Sequence, residues 1–101
     1  PVKWVRVHNL PDLAYFNHSQ HVVVGQLECE ECHGDVAEMG VAEQHSDLTM
    51  GWCVDCHRTK SVKVADNGYY EDLMSRMPEV HNGEPVTVEM IGGLDCAKCH
   101  Y

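Results

Sequence analysis

Residues 53–57 read CVDCH, and the same spacing recurs as CEECH at 29–33 and CAKCH at 96–100. The three copies use all six cysteines of the chain: Cys29, Cys32, Cys53, Cys56, Cys96 and Cys99. Each copy is closed by a histidine, His33, His57 or His100. At this cysteine and histidine content, chance supplies on the order of a few hundredths of such a pattern per chain. The repeat therefore marks a site, and the rest of the sequence has to be read around it.

The spacing has a chemical reason. Two thiols three apart on one turn can each add across one vinyl group of the same porphyrin. The histidine that follows then turns its imidazole to the iron, which is c-type haem attachment. A disulfide framework has no use for a histidine after every second cysteine. A zinc site is tetrahedral and usually joins two C-x-x-C hooks, and three hooks do not pair evenly. A thioredoxin-like dithiol needs a βαβ context, which the sequence lacks. Three covalent haem c groups are expected. Thioether attachment takes place on the outer side of the cytoplasmic membrane, so the expected location is periplasmic.

The bulk numbers agree. A chain of 101 residues fits one domain, 1–101. It has one Phe, two Trp and a mean hydropathy of -0.34, a thin supply for a core. Haems acting as the hydrophobic core would resolve this, and a radius of gyration near about 13 Å would keep them close. The net charge of -9 argues against nucleic acid and fits docking to a basic protein surface. No apolar run approaches the ~20 residues of a membrane span. No signal peptide is recognisable, and the opening PVKW without Met suggests either a processed protein or a part excised from a longer one.

Short helices and loops are expected, with no sustained strand alternation. Residues 1–16 read as extended and are broken by Pro11. Asn17 is a candidate cap for a helix over HSQHVVV, stopped by Gly25. Residues 33–46 read as loop. Asp47 is a candidate cap for a helix carrying the middle hook. Asn67-Gly68 signals a turn, YYEDLMSRM a helix ended by Pro78, and HNGEP a loop. VTVEMIGG suggests a short strand or a short helix, the helix being favoured, with Thr87 as cap and Gly92 closing it.

An iron held by a hook histidine needs a ligand on its other face. His18 and His21 lie three apart on the expected helix, on one face, ahead of the first hook. Two imidazoles so placed can reach two different haems. For the third haem, His8, His45, His81 and the five methionines, Met50 among them, remain open. His81 reads as a surface histidine. Trp4, Trp52, Tyr15 and Phe16 are expected to pack on haem faces, and Arg58 and Lys60 are candidate partners of haem propionates.

The stretch YFNHSQH resembles the F-x-H-x-x-H of small class III cytochromes, the triheme c7 type and its tetrahaem c3 relatives. The resemblance implies that His18 serves the haem of the first hook and His21 that of the middle hook. It draws the last distal ligand from EQHSDLTMGWC. KWVRVHNLPD, YFNHSQHV, LTMGWCVDCHR, NGYY and CAKCHY together resemble the carboxy-terminal triheme part of the multihaem cytochrome c subunit of alternative complex III. That family carries the Met of MGWC and ordinarily has no histidine at the place of His45. This implies Met50 as the third distal ligand, with His45 and His8 as alternatives.

The expected fold is mainly α and irregular, c3/c7-like, wrapped on three haems. The expected role is electron transfer in a quinol-oxidising respiratory or photosynthetic chain. Its partners would be iron–sulfur or haem subunits, a monohaem cytochrome c or an oxidase, and membrane association would come through them. The alternatives are a standalone periplasmic triheme shuttle and a multihaem reductase with an open iron. Histidine on both faces lowers a haem potential relative to His/Met, so the haem with Met50 should be the highest.

Overall fold

The computed structural model describes residues 1–77 and 84–101. Pro78 and His81, and most of the expected HNGEP loop, lie outside the described residues. Among the described residues there are short helices and no strand. No helix is long and apolar enough to cross a membrane.

Three α-helices form: α1, Glu30–His33; α2, Met50–Thr59; and α3, Gly68–Arg76. Ahead of them lies a π-helix, Ser19–Val24, where an ordinary short helix is expected. Its wider turn is closed by Gly25, whose N–H donates to Gln20 O at 3.0 Å. Asn17 does start this helix, accepting from Gln20 N–H on its side-chain oxygen at 3.3 Å.

The cap of α2 differs from the expected Asp47. Thr49 Oγ1 accepts the N–H of Trp52 at 3.2 Å. Leu48 sits in the left-handed region at φ 56, which turns the chain between Asp47 and the first helical residue. Thr87 is not a cap either. It pairs with Ser61 in an isolated antiparallel bridge, and Val88 precedes a single 3-10 turn, Glu89–Ile91. Gly92 closes that turn in the left-handed region, as expected. The last hook starts on another 3-10 turn, Cys96–Lys98, where Asp95 accepts from Ala97 N–H at 3.0 Å.

Long-range hydrogen bonds assemble these pieces. Beside the bridge, Val62 N–H donates to Val86 O and Val88 N–H to Lys60 O, at 2.8 and 3.1 Å. This brings the approach to the last hook against the end of α2. Tyr15 N–H donates to Cys99 O at 2.8 Å, and Tyr15 stacks on Tyr101. The last hook is thereby fastened to the segment leading into the π-helix.

Apolar packing between protein side chains is sparse. Tyr70 and Met74, four apart on α3, are buried with Val86. The radius of gyration is 15.8 Å, larger than the about 13 Å of a self-packed domain of this length, and the long axis is 50 Å. Trp4, near the start of the chain, is 89% exposed.

Asn67 is the polar exception in the core, 5% exposed. It caps α3 through Tyr70 N–H, and its amide donates to Val24 O at 2.7 Å. One side chain thus starts a helix and fastens it to the end of the π-helix. Asn67→Ala should remove the cap and leave Val24 O unsatisfied. A loss of about 1–3 kcal/mol is expected, measured as a lower denaturation midpoint of the haem-loaded protein.

Candidate functional site: paired imidazoles beside three cysteine hooks

The π-helix determines where two histidines go. Its turn is wider than that of an α-helix, so His18 and His21 splay further apart than α-helical spacing would allow. They meet different partners. The rings of His18 and His33 lie 6.4 Å apart, centre to centre, with planes 6° from parallel. Those of His21 and His57 lie 6.2 Å apart at 24°. Phe16 sets both imidazoles, edge-on to His18 at 4.8 Å and stacked on His21 at 4.2 Å.

In three of the candidate ligands, His21, His57 and His100, one ring nitrogen is already engaged by a main-chain carbonyl. His21 Nδ1 bonds to Asn17 O at 2.8 Å, and His57 Nδ1 to Gly93 O at 2.7 Å. His100 Nδ1 bonds to Leu13 O at 2.9 Å. Each carbonyl can only accept, so each Nδ1 carries the proton and Nε2 is the free, basic nitrogen. His33 Nδ1 lies 3.2 Å from His8 Nε2. Burial lowers the His21 pKa; the Asn17 carbonyl opposes this, while His57 and His18 add to it. The neutral ring is the form that ligates.

These residues fit axial ligation. Metal–nitrogen bonds of about 2 Å on both sides, plus about 1 Å from ring centre to nitrogen, require roughly 6 Å between imidazole centres. Both pairs meet this. Among the described residues no three His, Cys, Asp or Glu side chains converge as a tetrahedral centre would need. A cavity of about 380 Å³ opens beside the first pair. Its wall joins the first hook to His18 and His21, to apolar Phe16, Val22 and Leu27, and to Trp52 and Cys53 of α2. An apolar slot with a few convergent polar atoms suits a flat macrocycle.

Cysteines of different hooks are close enough to influence one another. Burial raises the Cys53 thiol pKa, and Cys99, Cys56 and Cys32 lie near enough to raise it further. Burial likewise raises Cys32, with contributions from Cys56 and Glu31 against an opposing one from Lys60. All six cysteines are unpaired.

The remaining candidates fall elsewhere. His45 lies against Gly34, directly after the first hook: a Cβ on Gly34 would sit 2.7 Å from the ring. His8 sits against His33. Among the described residues no second imidazole is paired with His100. Met50 opens α2 and is 68% exposed. Lys60 is not free for a propionate as expected; it pairs with Glu31 and ties α2 to the first hook. Arg58 is exposed. Sequence reading missed Asn17, Gly93 and Leu13 as acceptors because any residue has a carbonyl. His8 was visible as an alternative third ligand; its contact with His33 was not.

A family model described as cytochrome c7 and related cytochrome c matches residues 14–101. The chain belongs to this family. No curated protein matches it significantly. Membership means multihaem electron transfer with covalently bound haem c, and the resemblance to class III cytochromes stands.

Gly34 has a constraint of its own. Its φ of 68 and ψ of -163 lie in a region essentially restricted to glycine. Gly34→Ala combines that strain with a clash on His45. It should cost about 1–3 kcal/mol and lower the fraction of protein loaded at the first hook, read by denaturation midpoint and haem content.

Proposed function

We propose that the chain is a triheme electron-transfer domain with two bis-histidine sites and one His/Met site. The observation that carries this reading is the pair of facing imidazoles, at 6.4 and 6.2 Å, on either side of a single helical turn. Cys29 and Cys32, Cys53 and Cys56, and Cys96 and Cys99 would form the thioethers. His33, His57 and His100 would be proximal ligands, with His18 and His21 distal on the first two sites. Met50 would hold the third. Its support is the resemblance carried by LTMGWCVDCHR, in which Met50 opens the helix of the middle hook.

Bound haem supplies a one-electron ferric/ferrous couple. The chain's residues set its potential and position. Imidazole on both faces favours the ferric form, and a thioether favours the ferrous form. The third site is therefore the highest in potential. Carbonyl acceptors at Nδ1 would hold His21, His57 and His100 each in one tautomer and raise their basicity.

The finer context rests on resemblance. KWVRVHNLPD lies wholly outside residues 14–101, and with LTMGWCVDCHR it favours a quinol-oxidising assembly such as alternative complex III. The domain would then face the periplasm and dock to iron–sulfur or haem partners, including a monohaem cytochrome or an oxidase.

Mass spectrometry and a haemochrome assay of the loaded protein should find three covalent haems; two or fewer would sink the triheme reading. His18→Ala and His21→Ala should each open a different haem to carbon monoxide in the reduced protein. Met50→Ala should lower the most positive midpoint by on the order of 100 mV and leave the other two in place. An unchanged set of midpoints would remove Met50 as a ligand.

A further inference from the structure

The segment from Arg6 to Asp12 is held more closely than an exposed arm requires. Arg6 donates from Nε to His8 O at 3.2 Å, from Nη2 to Leu10 O and from Nη1 to Asp12 Oδ1. One guanidinium thus fixes the turn around His8. A second tie comes from the loop after the first hook. Asn9 N–H donates to Gln44 Oε1 at 2.9 Å, and Gln44 Nε2 donates to Ser46 O at 2.8 Å. Ser46 Oγ in turn donates to Cys32 O at 2.8 Å. His8 is therefore anchored, on its own strap and through its neighbour, to the backbone of the first hook.

The result is a specific contact. The His8 ring stands edge-on to His33, 4.8 Å between centres and 87° between planes, with His8 Nε2 3.2 Å from His33 Nδ1. The other two hook histidines rest on main-chain carbonyls. Only the first hook has a side chain in this position, and that side chain lies before the residues matched by the family model.

We propose that His8 is the positioning residue of the first haem site. Its Nε2 accepts the Nδ1–H of His33, fixes which nitrogen faces the iron and strengthens that nitrogen as a donor. This rests on the reading of His33 and His18 as axial ligands. A stronger donor favours ferric iron, so the contact lowers the potential of this one haem.

The test uses the fully loaded protein with His8→Phe, which keeps the ring but not the acceptor, and His8→Gln, which keeps an acceptor. His8→Phe should raise one midpoint by the equivalent of about tenfold in the ferric/ferrous ratio, about 59 mV for a one-electron couple. His8→Gln should recover most of that shift. All three haems should stay low-spin, and the shifted one should be the haem that His18→Ala opens to carbon monoxide. Loss of the first haem in His8→Phe with retention in His8→Gln would support the same role. Unmoved midpoints in His8→Phe, or an equal shift in His8→Gln, would overturn it. A high-spin haem in His8→Phe would also overturn it, making His8 a ligand. If His18→Ala opens no haem, the ligand reading itself fails; if it opens one and His8→Phe moves nothing, the role of His8 alone fails.

Discussion

An imidazole can face a metal in one defined way only if its second nitrogen is already taken. Much of this structure follows from that constraint. The carbonyls of Leu13, Asn17 and Gly93 each take one Nδ1, and they come from three separate parts of the chain. Placing those carbonyls requires the segment before the π-helix to lie along the last hook. It also requires the residues after the 3-10 turn Glu89–Ile91 to lie along α2. The bridge Ser61–Thr87 and the Tyr15–Cys99 bond provide these two placements.

Energetically the molecule relies on ties more than on a core. Three hydrophobic side chains are buried among the described residues, and one polar side chain, Asn67, is buried with them. Hydrogen bonds across long sequence separations contribute about 1 kcal/mol each when both partners are satisfied. Such modest terms hold segments in register without making a dense interior. The exposed ion pairs Arg6–Asp12 and Arg76–Asp72 add little. Under the triheme reading, the apolar slot between the first hook and α2 would be part of the binding surface, and binding there would add to the fold's stability.

The chemistry was more legible than the backbone that presents it. Cys and His spacing marked the hooks, and F-x-H-x-x-H marked the two histidines whose rings lie beside His33 and His57. The helix type was not legible: SQHVVV has no residue that distinguishes a π-helix from an α-helix, and the wider turn follows from tertiary placement. Asp47 lost the capping role to Thr49 because the left-handed Leu48 cannot be read from a leucine. Thr87, a plausible cap locally, was drawn into a bridge by Ser61, far away in sequence. The carbonyl acceptors left no trace in residue identity, and the radius of gyration, 15.8 Å, exceeds what length alone implies.

The π-helix also limits how this chain can change over time. Surface connections usually tolerate gained or lost residues. Here the six-residue turn between Asn17 and Gly25 sets the angle between two imidazoles that serve different partners. Removing one residue would tighten the turn and rotate His21 relative to His18, and no single side-chain change could restore both pairings. The length of this turn is therefore as much a part of the site as the histidines it carries. In a lineage of such chains, insertions should gather in the loops between hooks and avoid this turn.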